Sequence, residues 1–166
     1  MNYYQMNYCQ MNSKKNHMSL NELLFFTKRN VFGKDYIKNQ FGINCINNIL
    51  YVENMIVCFQ YKNSNSPLAS THEVESFITA VDNLSRHFNI YAVGVYLTKS
   101  PLNFYNKILL DRANMQQIEG VANTLFYSIY DNNEFNLLNK VYQFLYTHGI
   151  YMYDDEGDCI MEEPYT

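Results

Sequence analysis

The sequence predicts an α/β fold in which a central mixed β-sheet is flanked by helices, and three observations support this prediction. Residues 55–62 begin with a run of apolar, β-branched and aromatic side chains, which is typical of a buried strand. Residues 72–88 then place apolar side chains at helical spacing, and residues 90–98 return to an apolar strand pattern. A crossover through a helix makes two such strands parallel neighbours. We therefore expect a strand, a helix and a strand at the centre of the fold.

The two ends of the chain differ in composition from its middle. Residues 1–18 repeat Asn, Tyr, Gln and Met without a periodic apolar pattern, so we interpret them as a flexible N-terminal arm. They show neither the apolar segment of a secretory signal nor the Arg-rich pattern of a transit peptide. A single domain is expected over residues 19–153, followed by an acidic C-terminal tail over residues 154–166. No segment is long and apolar enough to span a bilayer, so we expect an intracellular protein of the cytoplasm or nucleus, without a membrane partner.

A first helix is predicted over residues 20–30. Ser19 and Glu22 have the spacing of a capping box, and apolar residues follow at helical intervals. Gly33 is expected to end this unit. Residues 43–46 are then predicted to form a short strand.

An antiparallel hairpin is predicted before the central helix. Residues 49–53 form its first strand, Asn54 its tight turn and residues 55–62 its second strand. Ser70 and Glu73 have the spacing of a second capping box, which starts the central helix. The hairpin and the helix therefore meet at the end of the second strand.

Three more elements are predicted after the second central strand. Pro101 is placed at the first position of a helix whose apolar face includes Leu102 and Leu109. Residues 125–130 form a further strand, and residues 131–134 cap a last helix. The chain is thus expected to add a second helix-and-strand unit to the central one.

The charge balance and the cysteines limit the function classes. The chain of 166 residues has 12 Lys and Arg against 16 Asp and Glu, a formal net charge of −4, and its pI is about 5.5. Proteins that coat nucleic acid non-specifically are basic, so this class is not expected. The four cysteines lack the spacing of a zinc site, and they indicate a reducing compartment.

Two polar side chains mark the end of the strand over residues 55–62. Gln60 and Lys62 are two residues apart, and on a strand such residues project from the same face. This face therefore presents an amide oxygen and an ammonium group together. The strand end is the first candidate for a functional site.

Three segments carry a resemblance to a known family. Val-Cys-Phe-Gln-Tyr-Lys-Asn begins at residue 57, Glu-Val-Glu-Ser-Phe at residue 73 and Ala-Val-Gly-Val-Tyr-Leu-Thr-Lys-Ser at residue 92. In this order they resemble the Mrr-like restriction endonuclease branch of the PD-(D/E)XK nuclease superfamily, over roughly residues 19–114. That family has a Gln-x-Lys or Glu-x-Lys motif at the end of a core strand, and Gln60-Tyr61-Lys62 matches it. The resemblance implies a restriction-endonuclease-like core.

The resemblance also implies an activity and a cofactor. The family members are metal-dependent endonucleases of the type IV restriction class, which are phosphodiesterases that use Mg²⁺ or Mn²⁺. The lysine that matches Lys62 positions or deprotonates the attacking water, and the residue that matches Gln60 binds the metal. A glutamate of the first helix contributes to the metal site, and Glu22 is the acid available there. The indispensable metal-binding aspartate follows a glycine, and the matching segment here is Gly42-Ile43-Asn44.

Asn44 therefore stands where the family has a carboxylate. Its amide offers an oxygen but no negative charge, and Mg²⁺ sites in proteins rely on carboxylates. The resemblance implies four candidate catalytic residues, of which all but the lysine are also candidate metal ligands: Gln60, Lys62, Asn44 and Glu22. Asp35 and Glu53 are the acids that could replace the missing carboxylate if the predicted strands are shifted along the sequence.

Three functions follow as expectations. The first is an Mrr-like nuclease-fold protein that acts on or binds DNA, which Gln60 and Lys62 support. The second is a catalytically inactive nuclease-fold module that mediates protein–protein interaction, which Asn44 and the acidic balance favour. The third is an α/β interaction protein unrelated to the family. The expected partners are therefore DNA or another protein, and the oligomeric state is open, with a dimer compatible.

Overall fold

A mixed β-sheet forms the centre of the fold. The computed structural model describes residues 30–62 and 70–150, with the backbone alone at residues 30 and 31. Within these residues the sheet has five strands, β1 (Asn30–Phe32), β2 (Asn48–Val52), β3 (Met55–Lys62), β4 (Tyr91–Thr98) and β5 (Thr124–Tyr130). The strands lie side by side in chain order.

Helices cover both faces of this sheet. Those of the described residues are α1 (Lys34–Phe41), α2 (Thr71–Phe88), α3 (Phe104–Ile118) and α4 (Glu134–Thr147). One face packs against α1, α2 and α3, with Phe77 of α2 and Leu110 of α3 in its core. The other face packs against α4, with Leu138 and Val141 in its core. The predicted α/β fold with a mixed sheet flanked by helices is confirmed, and it is consistent with a restriction-endonuclease-like core.

The direction of the strands changes at β3. β1, β2 and β3 form an antiparallel meander, whereas β3, β4 and β5 are parallel. Met55 lies beside Tyr91, and Lys62 lies beside Thr98 at the other end of the same pair of strands. The predicted adjacency of the two central strands, with a helix between them in the chain, is therefore confirmed. The predicted hairpin is also confirmed, since Val52 pairs with Met55 across a two-residue turn.

Alternation along β3 divides its side chains between the two cores. Val57 and Phe59 lie in the core under α4, whereas Ile56 and Cys58 lie in the core under α2. The same period of two continues to the strand end, so Gln60 and Lys62 are on the α2 side. The fold thus places these two side chains between the sheet and the start of α2.

The loop before β2 differs from the prediction. Residues 43–46 were expected to form a short strand, but they are irregular, and residues 34–41 before them form α1. Ile43 and Ile46 both pack into the α2-side core. Because these two isoleucines are three residues apart, a strand would have pointed them to opposite faces. Gly33 caps the start of α1, whereas the sequence predicted that it ends a helix.

The start of α3 also differs. Pro101 was predicted at the first helical position, but α3 begins at Phe104, with Asn103 as its N-cap. The Asn103 side chain accepts a hydrogen bond from the Asn106 backbone N–H at 2.8 Å. An asparagine can satisfy a free N–H of the first turn in this way and a proline cannot, so the cap decides where the helix starts.

Several predictions fall on residues 1–29, 63–69 and 151–166, which lie outside the described residues. They include the N-terminal arm, the acidic tail and the first helix with Glu22. The predicted last residue of that helix, Asn30, is described, and it begins β1 instead. Among the described residues, no helix combines the length and apolar character that crossing a membrane requires.

Gly94 generates a prediction about the packing of the central strand. A Cβ at this position would lie 2.7 Å from Cδ1 of Phe126 and 3.2 Å from Cε1 of Phe77. Both rings are buried, so they have little room to move. We expect Gly94→Ala to lower the free energy of unfolding by about 1–3 kcal/mol, measured by urea denaturation. The loss should shrink when Phe126→Leu is added, and an equal loss in both backgrounds would contradict this packing.

Candidate functional site

The candidate site lies at the carboxyl ends of β3 and β4. In parallel sheets this is the edge at which loops and helix N-termini converge, so it commonly positions functional side chains. β3 brings Gln60 and Lys62 to this edge, and β4 brings Tyr96 and Thr98 directly beside them. All four belong to the side of the sheet that α2 covers.

Lys62 is held by a glutamate of α2. Its Nζ lies 2.5 Å from Oε2 of Glu73, and both side chains are partly exposed. Glu73 also completes the capping box of α2, because its Oε2 accepts a hydrogen bond from the Ser70 N–H at 3.3 Å and its own N–H donates to the Ser70 Oγ at 3.2 Å. One carboxylate oxygen therefore joins the end of β3 to the start of α2.

The charge state of this pair follows from its geometry. The hydrogen bond from Lys62 holds the pKa of the Glu73 carboxyl below its ordinary value, and the positive charge of Lys62 acts in the same direction. Partial burial opposes the shift but is the smaller effect. Glu73 is consequently ionised at neutral pH and neutralises the ammonium beside it.

Three side-chain oxygens near this pair are buried without a hydrogen-bond partner among the described residues. They are Oε1 of Gln60, the hydroxyl of Tyr96 and Oγ1 of Thr98. Burial raises the pKa of Tyr96 to about 12, and the negative charge of Glu73 acts in the same direction. Tyr96 is therefore a neutral hydroxyl at physiological pH. A buried oxygen without a partner is costly, so this cluster of polar groups at the edge of an apolar core needs an explanation.

The loop before β2 reaches the same region through Cys45 and Asn47. The Cys45 thiol donates to the backbone oxygen of Ser76 on α2 at 3.4 Å, and burial raises its pKa, so the thiol stays protonated. Oδ1 of Asn47 accepts a hydrogen bond from the Tyr61 N–H at 2.8 Å. This loop therefore contacts both β3 and α2.

The sequence-predicted site residues are only partly brought together. Gln60 and Lys62 share one strand end, whereas Asn44 is exposed and no hydrogen bond joins it to either of them among the described residues. Glu22 lies outside the described residues. Glu73 was identified only as a capping residue, although its place directly after the strand that carries Lys62 was a signal that could have assigned it to the site.

The two alternative acids are not at this strand end. Glu53 lies in the turn that precedes Met55, at the opposite end of β3 from Gln60. A strand rises about 3.3 Å per residue, so about 20 Å separate the two positions. Asp35 is exposed in the first turn of α1. The site therefore has Glu73 as its carboxylate within the part of the chain that the structure describes.

A Mg²⁺ or Mn²⁺ ion does not fit the donors that the described residues supply. No group of three or more His, Cys, Asp and Glu side chains among them is placed to hold a metal ion. The remaining donors at the strand end are an amide, two hydroxyls and a protonated thiol, all of them neutral. Hard divalent cations require carboxylates, and the carboxylate of Glu73 is already paired with Lys62.

An open groove of about 950 Å³ lies beside the site. It separates the end of α1 and the residues after it from the outer side of α2, and its lining includes Phe41, Ile43, His72, Glu75 and Ser76. No lysine or arginine lines this groove among the described residues. The groove is therefore suited to apolar and polar contacts and not to the phosphates of a nucleic acid.

The chain was compared with known proteins. No protein-family model, no curated protein and no solved structure matches it. The fold and the chemistry of this strand end are thus the basis for any proposal about its function.

The Lys62–Glu73 pair predicts a small and pH-dependent contribution to stability. We expect Glu73→Gln to lower the free energy of unfolding by less than about 1 kcal/mol at pH 7, because the pair is partly exposed and screened by solvent. Glutamine still completes a capping box, so the variant isolates the loss of the charge. Urea denaturation at neutral and acidic pH measures the difference.

The sign of this pH dependence follows from the lowered pKa. The contribution is fully present above 4.5, the ordinary pKa of the carboxyl, and disappears as the pH falls through the lower pKa of the folded state. Wild type and Glu73→Gln should therefore converge in stability at acidic pH. A difference between them that is the same at pH 7 and at acidic pH would contradict the ion pair.

Proposed function

We propose that this chain is a degenerate member of the PD-(D/E)XK nuclease fold that serves as a binding module for another protein. The observation that carries the proposal is the ion pair between Lys62 and Glu73. A lysine that activates water or stabilises a phosphate must direct its charge at the substrate. Here the charge of Lys62 is neutralised by a carboxylate that is also fixed by the capping box of α2.

The neutral donors around the pair support the same proposal. Gln60 and Asn44 are amides at the positions where the family resemblance expects metal ligands, and Cys45 and Tyr96 are protonated at neutral pH. Phosphodiester hydrolysis develops negative charge on the phosphate, which a metal ion or a free cation has to stabilise. The described residues offer no set of carboxylates for the metal, and Lys62, the lysine that the resemblance assigns to catalysis, is paired with Glu73.

The groove beside α2 supports a protein partner. Its lining mixes Phe41 and Ile43 with polar residues and contains no lysine or arginine among the described residues. The whole chain has a net charge of −4, which repels nucleic acid at long range. A protein segment with apolar anchors suits this surface better than a phosphate backbone.

A second function, an Mrr-like nuclease that acts on DNA, is favoured by one observation. Glu73 brings a carboxylate to the end of β3, beside Lys62 and Gln60, so an acid is present on the correct side of the sheet. In this alternative Glu73 and Glu22 replace the missing carboxylates, Mg²⁺ or Mn²⁺ is the cofactor, and Lys62 leaves the ion pair when metal binds. Activity measurements distinguish the two functions.

Cleavage of DNA is the direct test. We expect wild type to show no cleavage of duplex DNA above background with Mg²⁺ or Mn²⁺, in a gel assay run beside the Lys62→Ala variant. The reason is that the described residues lack the metal ligands and that Lys62 is paired with Glu73. Metal-dependent cleavage by wild type that Lys62→Ala and Glu73→Gln both abolish would refute the binding-module proposal and establish the nuclease.

Binding of metal can be restored separately from catalysis. We expect no heat of Mg²⁺ or Mn²⁺ binding in calorimetric titrations of wild type, and measurable binding by Gln60→Glu, which adds a second carboxylate beside Glu73. Asn44→Asp is the matched control, because Asn44 is exposed and no hydrogen bond joins it to Gln60 or Lys62 among the described residues. If Asn44→Asp binds metal as tightly as Gln60→Glu, the metal position lies nearer to the loop before β2 than the positions of Gln60 and Glu73 indicate.

A further inference from the structure

A cavity of about 270 Å³ lies at the amino ends of β4 and β5. The last two turns of α2, the end of α3 and the residues that lead into β5 line it. β4 spans eight residues, so this end of the sheet is about 23 Å from the end that carries Thr98. Sites for drug-sized ligands measure about 300–1,000 Å³, so this cavity suits a smaller molecule.

The most buried side chains of the lining present hydrogen-bond acceptors. The Thr124 hydroxyl donates its hydrogen to Oδ1 of Asp82 at 2.7 Å, and the Ser85 hydroxyl donates its hydrogen to the backbone oxygen of Ile90 at 2.6 Å. Thr124 and Ser85 are buried, and Asp82 is half-buried. A hydroxyl has a single hydrogen and a carboxylate has none, so a ligand has to supply the donors here.

The backbone around the cavity has the same character. The N–H groups of Gly120, Val121 and Ala122 all donate to carbonyl oxygens at the end of α3. Both α2 and α3 end at this cavity, and the carboxyl end of a helix carries a partial negative charge. Together with Asp82, these helix ends favour a positively charged group on the ligand.

Arg86 adds one positive charge to the lining. It lies one turn after Asp82 on α2, and side chains at this spacing share one face of a helix. An acid and a base four residues apart commonly form an ion pair, but neither of these two forms a salt bridge with a described residue. Asp82 is bonded to Thr124 instead, and Arg86 is exposed. The cavity therefore presents both charges to a ligand.

We propose that this cavity binds a small zwitterion, a free α-amino acid. Its ammonium group donates to Asp82 and to the hydroxyl oxygens, and its carboxylate accepts from the Arg86 guanidinium, whose donors match a carboxylate. An anion without an ammonium group would meet Asp82 and the two helix ends, and a cation without a carboxylate would lie beside Arg86. A ligand with both charges avoids both repulsions. The proposal does not depend on the proposed function, since the cavity and the Lys62–Glu73 pair lie at opposite ends of the sheet.

Calorimetric titration of the full chain with each of the standard amino acids tests the proposal. We expect at least one of them to bind at a single site with a Kd of about 1 mM or lower. Asp82→Asn and Arg86→Gln should each weaken this binding about tenfold or more, because each removes a charge-assisted hydrogen bond. Asparagine keeps an oxygen that accepts from the Thr124 hydroxyl, and Arg86 is exposed, so both variants should fold.

Derivatives of the amino acid that binds isolate its two charges. Acetylation of the amine removes the positive charge, and conversion of the carboxylate to an amide removes the negative charge, so each derivative should bind about tenfold or more weakly. Asp111→Asn and Lys107→Gln are the matched protein controls. They remove the same charges at exposed positions of α3 outside the cavity lining, so they should leave binding unaffected. Circular dichroism melts verify that every variant folds.

Three results would overturn the proposal. The first is that no standard amino acid binds at millimolar concentration. The second is binding that Asp82→Asn and Arg86→Gln leave unchanged, because the site would then lie elsewhere on the molecule. The third is equal binding of the amide derivative, because the ligand would then be a simple cation, such as the amino terminus of a peptide. Weaker binding by both variants and of both derivatives, with unaffected controls, supports the zwitterion site.

Discussion

The fold depends on the covering of β4 from both sides. Seven consecutive residues of this strand are buried, from Ala92 to Thr98, and β3 next to it buries Ile56 to Phe59. Strands of this kind cannot face water on either side, so α2 and α3 must cover one face and α4 the other. The packing is close enough that Gly94 leaves room for the rings of Phe77 and Phe126. The positions of the helices follow from this central requirement.

The same requirement explains where polar chemistry occurs. Side chains in the middle of β3 and β4 are apolar, and polar groups occur where the strands leave the core, as Gln60, Lys62 and Thr98 do. The capping box of α2 fixes Glu73 at this point, and Glu73 in turn fixes Lys62. A residue that stabilises the start of a helix thus also sets the charge of the strand end. The two charges of the Lys62–Glu73 pair therefore cancel.

The neutrality of the Lys62–Glu73 pair and the surfaces around it favour the same class of function. A neutral Lys62–Glu73 pair is poorly suited to holding a divalent metal ion or a phosphate. The neighbouring groove is lined by apolar and uncharged polar residues with one glutamate and two histidines. A groove of this composition is consistent with a domain that binds another protein.

The sequence by itself determined the central strand, helix and strand, and which side chains of the first strand share a face. The change of apolar period between residues 55–62, 72–88 and 90–98 predicted the strand, the helix and the strand, because each of these patterns is local and strong. Alternation also placed Gln60 and Lys62 on one face. These features depend on neighbouring residues in the chain, which is why they can be read directly.

Tertiary structure decided what lies beside these residues. Ile43 and Ile46 are anchored in the core by a loop and not by a strand, and Asn103 replaces Pro101 as the start of α3 through one side-chain hydrogen bond. The pairing of Lys62 with Glu73 and the exposure of Asn44 depend on how α2 and the loop before β2 approach the sheet. Spacing along the chain does not contain these distances, because they arise only when both sides of the sheet are packed.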